Sequence, residues 1–168
     1  ESYKVITQAN EAETNEQKIQ RLSSHLTIYP DNSWDYLERG NAYRYDGKRK
    51  EALADYNRAI DLNPEESYFY FTRGDLTLKH GSARRALVDL DIAVQIEAND
   101  KLYLSSRAEA FLKLNKLELA LADCNKILEL QWDYYLGLSL RIQVYRALGE
   151  HEKADKDNQL FDDLYSIH

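Results

Sequence analysis

The distribution of apolar and small residues along this chain repeats at a fixed interval of 34 residues. With Ser33 counted as position 1, the copy over 33–66 has apolar residues at positions 4, 11, 24 and 27 and small residues at positions 8 and 20. Apolar residues that stand three or four positions apart, or whole turns apart, share one face of a helix. Each copy therefore predicts two helices with one buried stripe each, and the small residues indicate that the two helices cross closely.

Four copies of the pattern follow one another, and the later copies depart from it. The first contains Tyr36, Gly40, Tyr43, Gly47, Ala52, Tyr56, Ala59 and Pro64. The second contains Tyr70, Gly74, Gly81, Ala86, Leu90 and Ala93, and the third contains Leu104, Ala108, Phe111, Ala120 and Cys124. The fourth keeps Leu138, Tyr145, Gly149, Ala154 and Phe161 but has Ile142 at position 8 and Asn158 at position 24. This pattern resembles the tetratricopeptide repeat (TPR), a helix–turn–helix unit of 34 residues. Against the family pattern, Asn115 and Trp132 replace the usual glycine and proline of the third copy.

The resemblance implies an all-α fold, a right-handed α-solenoid of antiparallel helix hairpins, in which at least three units stack to bury their faces. We expect TPR-like repeats over 33–66, 67–100 and 101–134, and a divergent repeat with a C-terminal capping helix over 135–168. Residues 1–32 are expected to form a degenerate N-terminal half-repeat or cap, because Lys18 occupies the position of a small residue. A short helix is also predicted within 1–14.

Helix ends can be predicted from capping residues and from proline. Polar residues such as Asn32 and Ser33 favour a helix start, and Pro64 cannot continue a helix. We expect helices at 15–29, 34–46, 49–62, 68–80, 83–96, 101–114, 117–130, 135–148 and 151–165.

An arginine and an aspartate recur in addition to the usual minimal TPR pattern. Position 7 holds Arg39, Arg73, Arg107 and Arg141, and position 23 holds Asp55, Asp89, Asp123 and Asp157. We interpret them as structural pairs that form charge-assisted hydrogen bonds across the hairpin or the repeat junction. The alternative is a row of solvent-exposed arginines offered to an acidic ligand.

In the TPR family, positions 2, 5, 9 and 12 of the first helix line a concave groove. Carried over to this chain, those positions are Trp34, Leu37, Asn41, Arg44, Tyr68, Phe71, Asp75, Leu78, Leu102, Ser105, Glu109, Leu112, Leu136, Ser139, Gln143 and Arg146. A strip of apolar residues rimmed by polar groups is typical of an interaction site. The polar members are expected to hydrogen-bond the backbone of a bound peptide.

The resemblance thus implies a non-catalytic adaptor or assembly module that binds a peptide segment of another protein. One alternative is that these residues pack at unit junctions, and another is that the exposed apolar strip makes a homo-oligomer such as a homodimer. A TPR subclass binds the C-terminal carboxylate of heat-shock chaperones with lysine, arginine and asparagine side chains. At those positions this chain has Leu37, Asn41, Thr72, Leu102 and Ser106, or, one unit later, Phe71, Asp75, Ser106, Leu136 and Leu140. A chaperone C-terminal tail is therefore not expected as the ligand.

Composition narrows the function further. The formal net charge of −7 argues against nucleic acid, which requires clustered Lys and Arg. No apolar run reaches the roughly 18 residues needed for a membrane span, and no catalytic or metal-binding spacing is present, so we expect no enzyme activity, no metal and no cofactor. A single cysteine, Cys124, fits a reducing compartment and slightly favours a cytoplasmic location. The chain starts at Glu1 and has no methionine, which suggests a cut fragment or a processed mature chain, in which an N-terminal targeting segment would not be visible.

Overall fold

The computed structural model describes residues 13–165, and the regular secondary structure of that part is helical throughout. Its nine helices are α1 (Asn15–Ile28), α2 (Ser33–Tyr45), α3 (Arg49–Leu62), α4 (Ser67–Lys79), α5 (Ala83–Ile96), α6 (Lys101–Lys113), α7 (Leu117–Leu130), α8 (Tyr135–Leu148) and α9 (His151–Tyr165). The predicted helices agree with these bounds to within one residue, and the predicted all-α helical-repeat class is confirmed. The short helix predicted within 1–14 falls outside the described residues, apart from the two positions that precede α1.

The chain divides into two compact units, Glu1–Asn63 and Pro64–His168. The first unit contains α1, α2 and α3. Helix α1 begins with a capping box, in which the backbone N–H of Gln17 donates to Thr14 Oγ1 over 3.2 Å and the backbone N–H of Thr14 donates to Gln17 Oε1 over 2.9 Å. This reciprocal pair satisfies two donors that a helix start otherwise leaves without partners.

Gly40 brings α2 and α3 of the first unit close together. A Cβ atom at this position would lie 2.6 Å from Cε1 of Tyr56, whose side chain is fully buried, and 3.3 Å from the carbonyl oxygen of Ala52. The small residue predicted at position 8 is therefore required by direct contact with the facing helix.

The second unit contains α4 to α9, which pack as the hairpins α4–α5, α6–α7 and α8–α9. Helix α5 also contacts α6, and α7 contacts α8, so the hairpins form one continuous hydrophobic core. Cys124 lies in this core, and burial raises the pKa of its thiol to about 12.

The turn inside each hairpin contains one residue with a left-handed backbone. Gly47, Gly81 and Gly149 have φ values of 72°, 82° and 76°, and Asn115 has a φ of 55°. Asparagine tolerates this conformation better than other residues that carry a Cβ atom. For this reason the third hairpin keeps its turn although it lacks the glycine.

The last helix presents polar residues where an internal helix presents apolar ones. At positions 21, 24 and 28, α7 has Leu121, Cys124 and Leu128, whereas α9 has Asp155, Asn158 and Asp162. Because carboxylates and amides do not bury well against a further hairpin, α9 is suited to end the second unit. No helix among the described residues has the length and hydrophobicity that a membrane span requires.

Candidate functional site

The recurring arginine and aspartate side chains meet within each hairpin. In all four pairs the arginine donates from Nε and Nη2 to the two carboxylate oxygens, over 2.6 to 2.8 Å, and the aspartates are only 5% to 8% exposed. Such two-pronged geometry is the strongest form of arginine–carboxylate contact. The structural interpretation is confirmed, and the alternative of solvent-exposed arginines is wrong.

Several of these arginines also reach the preceding helix. In the second unit, Nη1 of Arg107 donates to Asp91 over 3.2 Å, and Nη1 of Arg141 donates to Asn125 over 3.1 Å. In the first unit, Nη1 of Arg39 donates to Ser23 over 3.1 Å. These three arginines therefore each link their own hairpin to the helix before it within the same unit. The hydrogen bond to Asp123 raises the pKa of Arg107.

A cleft of about 460 Å³ lies on the face of the second unit formed by α4, α6 and α8. It is lined by Asp75 and Lys79 from α4, by Leu102, Ser105, Ser106, Glu109, Leu112 and Lys113 from α6, and by Leu136, Ser139, Leu140 and Gln143 from α8. Consecutive helices alternate in direction, so these three helices run the same way. Residues at the same repeat position therefore form rows across the cleft.

The rows differ in chemistry along the helices. Leu102 and Leu136 form an apolar row at position 2 and are 40% and 38% exposed. Asp75, Glu109 and Gln143 form a row of hydrogen-bond acceptors at position 9, about 10 Å further along at 1.5 Å per residue. Serines lie between the two rows. The cleft thus offers apolar contact on one side and hydrogen bonding on the other.

Both carboxylates in the cleft are paired with lysines one turn further along. Lys79 Nζ lies 2.8 Å from Asp75 Oδ2, and Lys113 Nζ lies 3.1 Å from Glu109 Oε1. The side chain of Asp75 is only 11% exposed, whereas that of Lys79 is 58% exposed. The carboxylate of this pair is therefore fixed in the protein, and the ammonium group lies at the solvent side.

Eight residues of the predicted groove come together in this cleft. They are Asp75, Leu102, Ser105, Glu109, Leu112, Leu136, Ser139 and Gln143. They include the central polar row of the second unit, as the repeat positions predict. That they bind a peptide stays a prediction.

Three other predicted groove residues are part of the core. Leu37 is 0% exposed, Phe71 8% and Leu78 2%, and the Phe71 ring stacks on Tyr103 with centroids 4.9 Å apart. Their side chains fill space between helices, so they are not available to a ligand. The prediction of groove contacts is corrected at these positions.

The remaining predicted residues lie outside the cleft. Asn41 Oδ1 accepts a hydrogen bond of 2.8 Å from the buried Tyr56 hydroxyl, so this oxygen supports the hairpin of the first unit. Arg146 Nη2 donates to Asn158 of α9 over 3.4 Å. Trp34 and Tyr68 are exposed and Arg44 is partly exposed, and their role as ligand contacts stays a prediction.

Sequence reasoning did not select four residues that line the cleft: Ser106, Lys79, Lys113 and Leu140. A signal for the two lysines was available, because each stands four residues after an acidic residue at position 9. Acidic and basic residues at this spacing pair on a helix surface. Ser106 and Leu140 occupy position 6, which the groove pattern does not include.

The first unit has a depression of about 560 Å³ at the turn between α1 and α2, lined by His25, Ile28, Tyr29, Pro30, Asp31 and Asn32. None of these is a predicted groove residue, and the surface is built mainly from one turn. Within residues 13–165, no three His, Cys, Asp or Glu side chains are grouped so that they could hold a metal ion.

The chain is similar to known proteins in sequence and in fold. A family model described as TPR repeat matches residues 40–81. No curated protein matches the sequence. Among solved structures, MamA from Desulfovibrio magneticus RS-1 is 16% identical with a TM-score of 0.83, over 89% of this chain and 85% of that chain. Residues 40–81 therefore contain TPR repeat sequence, and the solved structures show a shared fold.

Two further solved structures resemble this chain. YrrB, described as a TPR protein with an unusual peptide-binding site, is 19% identical with a TM-score of 0.79, over 92% of this chain and 79% of that chain. The first TPR domain of Spaghetti (RPAP3), bound to the HSP90 peptide SRMEEVD, is 24% identical with a TM-score of 0.65, over 83% of this chain and 99% of that chain. At these identities the similarity shows the fold alone.

Proposed function

We propose that this chain is a non-catalytic interaction module of the TPR type whose second unit binds a peptide segment of a partner protein in the cleft. The observation that carries the proposal is the combination of exposed Leu102 and Leu136 with the acceptors Glu109 and Gln143 in one depression. Apolar side chains give a peptide contact area, and nearby polar groups fix its orientation. The module acts as an adaptor or in assembly.

The comparisons support peptide binding in general terms. YrrB is described with a peptide-binding site, and the Spaghetti (RPAP3) domain with a bound peptide. The ligand of the present cleft is not the acidic tail of a chaperone, because Asp75, Leu136 and Leu140 occupy positions where that subclass binds a carboxylate with polar or cationic groups. We further propose that the chain consists of TPR-like repeats over 33–66, 67–100, 101–134 and 135–168, the last one divergent, behind a degenerate N-terminal half-repeat or cap over 1–32.

The test compares two leucine variants in a peptide selection. A phage-displayed library of random 12-residue peptides is panned on the wild-type chain, and the selected peptides are measured against Leu102→Ser/Leu136→Ser. Leu119→Ser/Leu130→Ser is the matched control, because these leucines of α7 are 49% and 44% exposed and lie outside the cleft. Circular dichroism checks that both variants keep their helix content.

We expect the selected peptides to bind the wild type and the control variant and to lose at least tenfold in affinity for the cleft variant, a difference of about 1.4 kcal/mol. If the selected peptides bind the cleft variant and the control variant equally well, the cleft is not the binding site. Failure to select any peptide would also overturn the proposal. Sedimentation velocity of the free chain then tests self-association, which predicts an apparent mass that rises with concentration.

A further inference from the structure

The charged groups of the cleft form two rows of opposite sign. The carboxylates of Asp75 and Glu109 form one row at position 9, and the ammonium groups of Lys79 and Lys113 form the other at position 13. Among the described residues that line the cleft, these four are the charged ones. Their formal charges cancel, so net charge alone does not decide what the cleft prefers.

The two rows differ in how easily they can move. Lysine has a flexible four-carbon stem, and the Lys79 and Lys113 side chains are 58% and 48% exposed. Exposed pairs of this type are weak, so either lysine can turn into solvent at little cost. Asp75 cannot do the same, because its side chain is 11% exposed and lies in the floor of the cleft.

A bound peptide therefore meets one carboxylate that stays in place, that of Asp75, and two lysines that can leave. The Glu109 side chain is 45% exposed and can turn toward the ligand. A ligand carboxylate drawn toward the lysines would be held one helical turn from Asp75 and Glu109, which repel it. A ligand Lys or Arg can replace the protein's lysines at the same two carboxylates. Three other cations of these helices have partners of their own: Arg107 and Arg141 are bound to Asp123 and Asp157, and Arg146 donates to Asn158.

The apolar row at position 2, at the other end of the cleft, determines which second side chain a ligand needs. Leu102 and Leu136 present aliphatic surface without a charged side chain beside them in the cleft lining. Their row lies about 10 Å from the carboxylate row, seven residues away on the helix at 1.5 Å per residue. An extended peptide covers that distance in about three residues.

We propose that the cleft selects a peptide with an aliphatic residue for Leu102 and Leu136 and, about three residues away, a Lys or Arg for the carboxylates of Asp75 and Glu109. This inference rests on the proposed function, and it assigns the chemical class of the partner segment as basic and aliphatic. The net charge of −7 of the chain adds a long-range attraction for such a segment at low ionic strength.

The experiment uses the peptide pool from the random 12-residue library and three charge variants of the full chain. Glu109→Gln removes one carboxylate of the cleft, and Glu109→Lys reverses its charge. Glu129→Lys is the matched control, because Glu129 is an exposed carboxylate of α7 that lies outside the cleft. Affinities are measured at low and at high NaCl concentration, together with peptides in which the selected Lys and Arg are replaced by Glu.

We expect the pool to be enriched in Lys and Arg together with Leu, Ile or Val, and depleted in Asp and Glu. Glu109→Gln should weaken binding about fivefold, Glu109→Lys more strongly, and Glu129→Lys less than twofold. High salt should weaken binding by the wild type more than binding by Glu109→Gln, because salt screens the attraction that the variant lacks.

The two proposals fail in different ways. Peptides that depend on Leu102 and Leu136 but are acidic or uncharged, or that bind Glu109→Lys as well as the wild type, would overturn the basic-peptide inference and leave the cleft as the site. Peptides that bind without dependence on the two leucines would overturn the proposed function itself, and with it this inference.

Discussion

Replacing Arg107 by Ala removes three hydrogen bonds and leaves a buried carboxylate without its main partner. The lost contacts are those from Nε and Nη2 to Asp123, at 2.8 and 2.7 Å, and the one from Nη1 to Asp91, at 3.2 Å. Asp123 is 5% exposed, so water cannot fully replace the guanidinium. The variant therefore has to keep a poorly compensated charge in the core or protonate it.

The expected loss in free energy of unfolding follows from the burial of Asp123. Removing one partner of a buried ion pair costs about 3 to 5 kcal/mol. The Arg107 side chain is 20% exposed, which allows some water to enter, so we expect the lower end, about 3 kcal/mol. For a chain of this length, that loss lowers the melting temperature by roughly 6 to 12 °C.

The assay is urea unfolding at neutral pH followed by circular dichroism, with Lys113→Ala as the control. Lys113 pairs with Glu109 over 3.1 Å, but both side chains are nearly half exposed, so its removal should cost no more than about 0.5 kcal/mol. Asp123→Ala and the double variant complete a double-mutant cycle. The double variant should be about 2 kcal/mol more stable than the sum of the two single losses predicts.

Two results would refute this reasoning. If Arg107→Ala loses no more stability than Lys113→Ala, the pair is not a buried one in solution. If the losses of the single variants simply add, Arg107 and Asp123 do not act on each other. Arg107→Lys gives a further check, because a lysine cannot donate two parallel hydrogen bonds to the carboxylate and should recover only part of the loss.

Three further predictions concern individual positions. Gly40→Ala should destabilise the fold by roughly 2 to 3 kcal/mol, because the new Cβ meets a buried ring. Gly47→Ala, in open space at a φ of 72°, should cost only about 1 kcal/mol. Thermal unfolding of the two variants checks the difference. Phe71→Ala should cost about 3 to 5 kcal/mol as a core truncation and Tyr68→Ala under 1 kcal/mol, and similar melting temperatures of the two variants would show that the assignment to core and surface is wrong. Cys124, whose pKa is raised to about 12 by burial, should resist a thiol reagent at pH 8 until urea unfolds the chain. Because its folded pKa lies above the unfolded value, its contribution to stability is complete below about pH 9 and is lost as the pH rises toward 12.

Part of the candidate site could be predicted because repeat positions carry over from one hairpin to the next. The acceptor row of Asp75, Glu109 and Gln143 follows from position 9 alone, and the structure brings all three into one cleft. Position 5 is buried in the first three repeats, at Leu37, Phe71 and Ser105, although the groove pattern predicts ligand contacts there. Phe71 is buried against Tyr103, a residue of another helix, and no pattern within a single repeat contains that neighbour.

The sequence by itself determined the helices, their turns and the arginine–aspartate pairs, since each depends on residues close in sequence or at a fixed interval of 34. A left-handed residue at the hairpin turn and two charges sixteen residues apart recur in every copy. Only the tertiary structure decided which apolar side chains remain at the surface. Exposure depends on how many neighbouring helices cover a position, so Leu102 and Leu136 line an open cleft while Leu37 and Leu78, of the same residue type on equivalent helices, lie in the core.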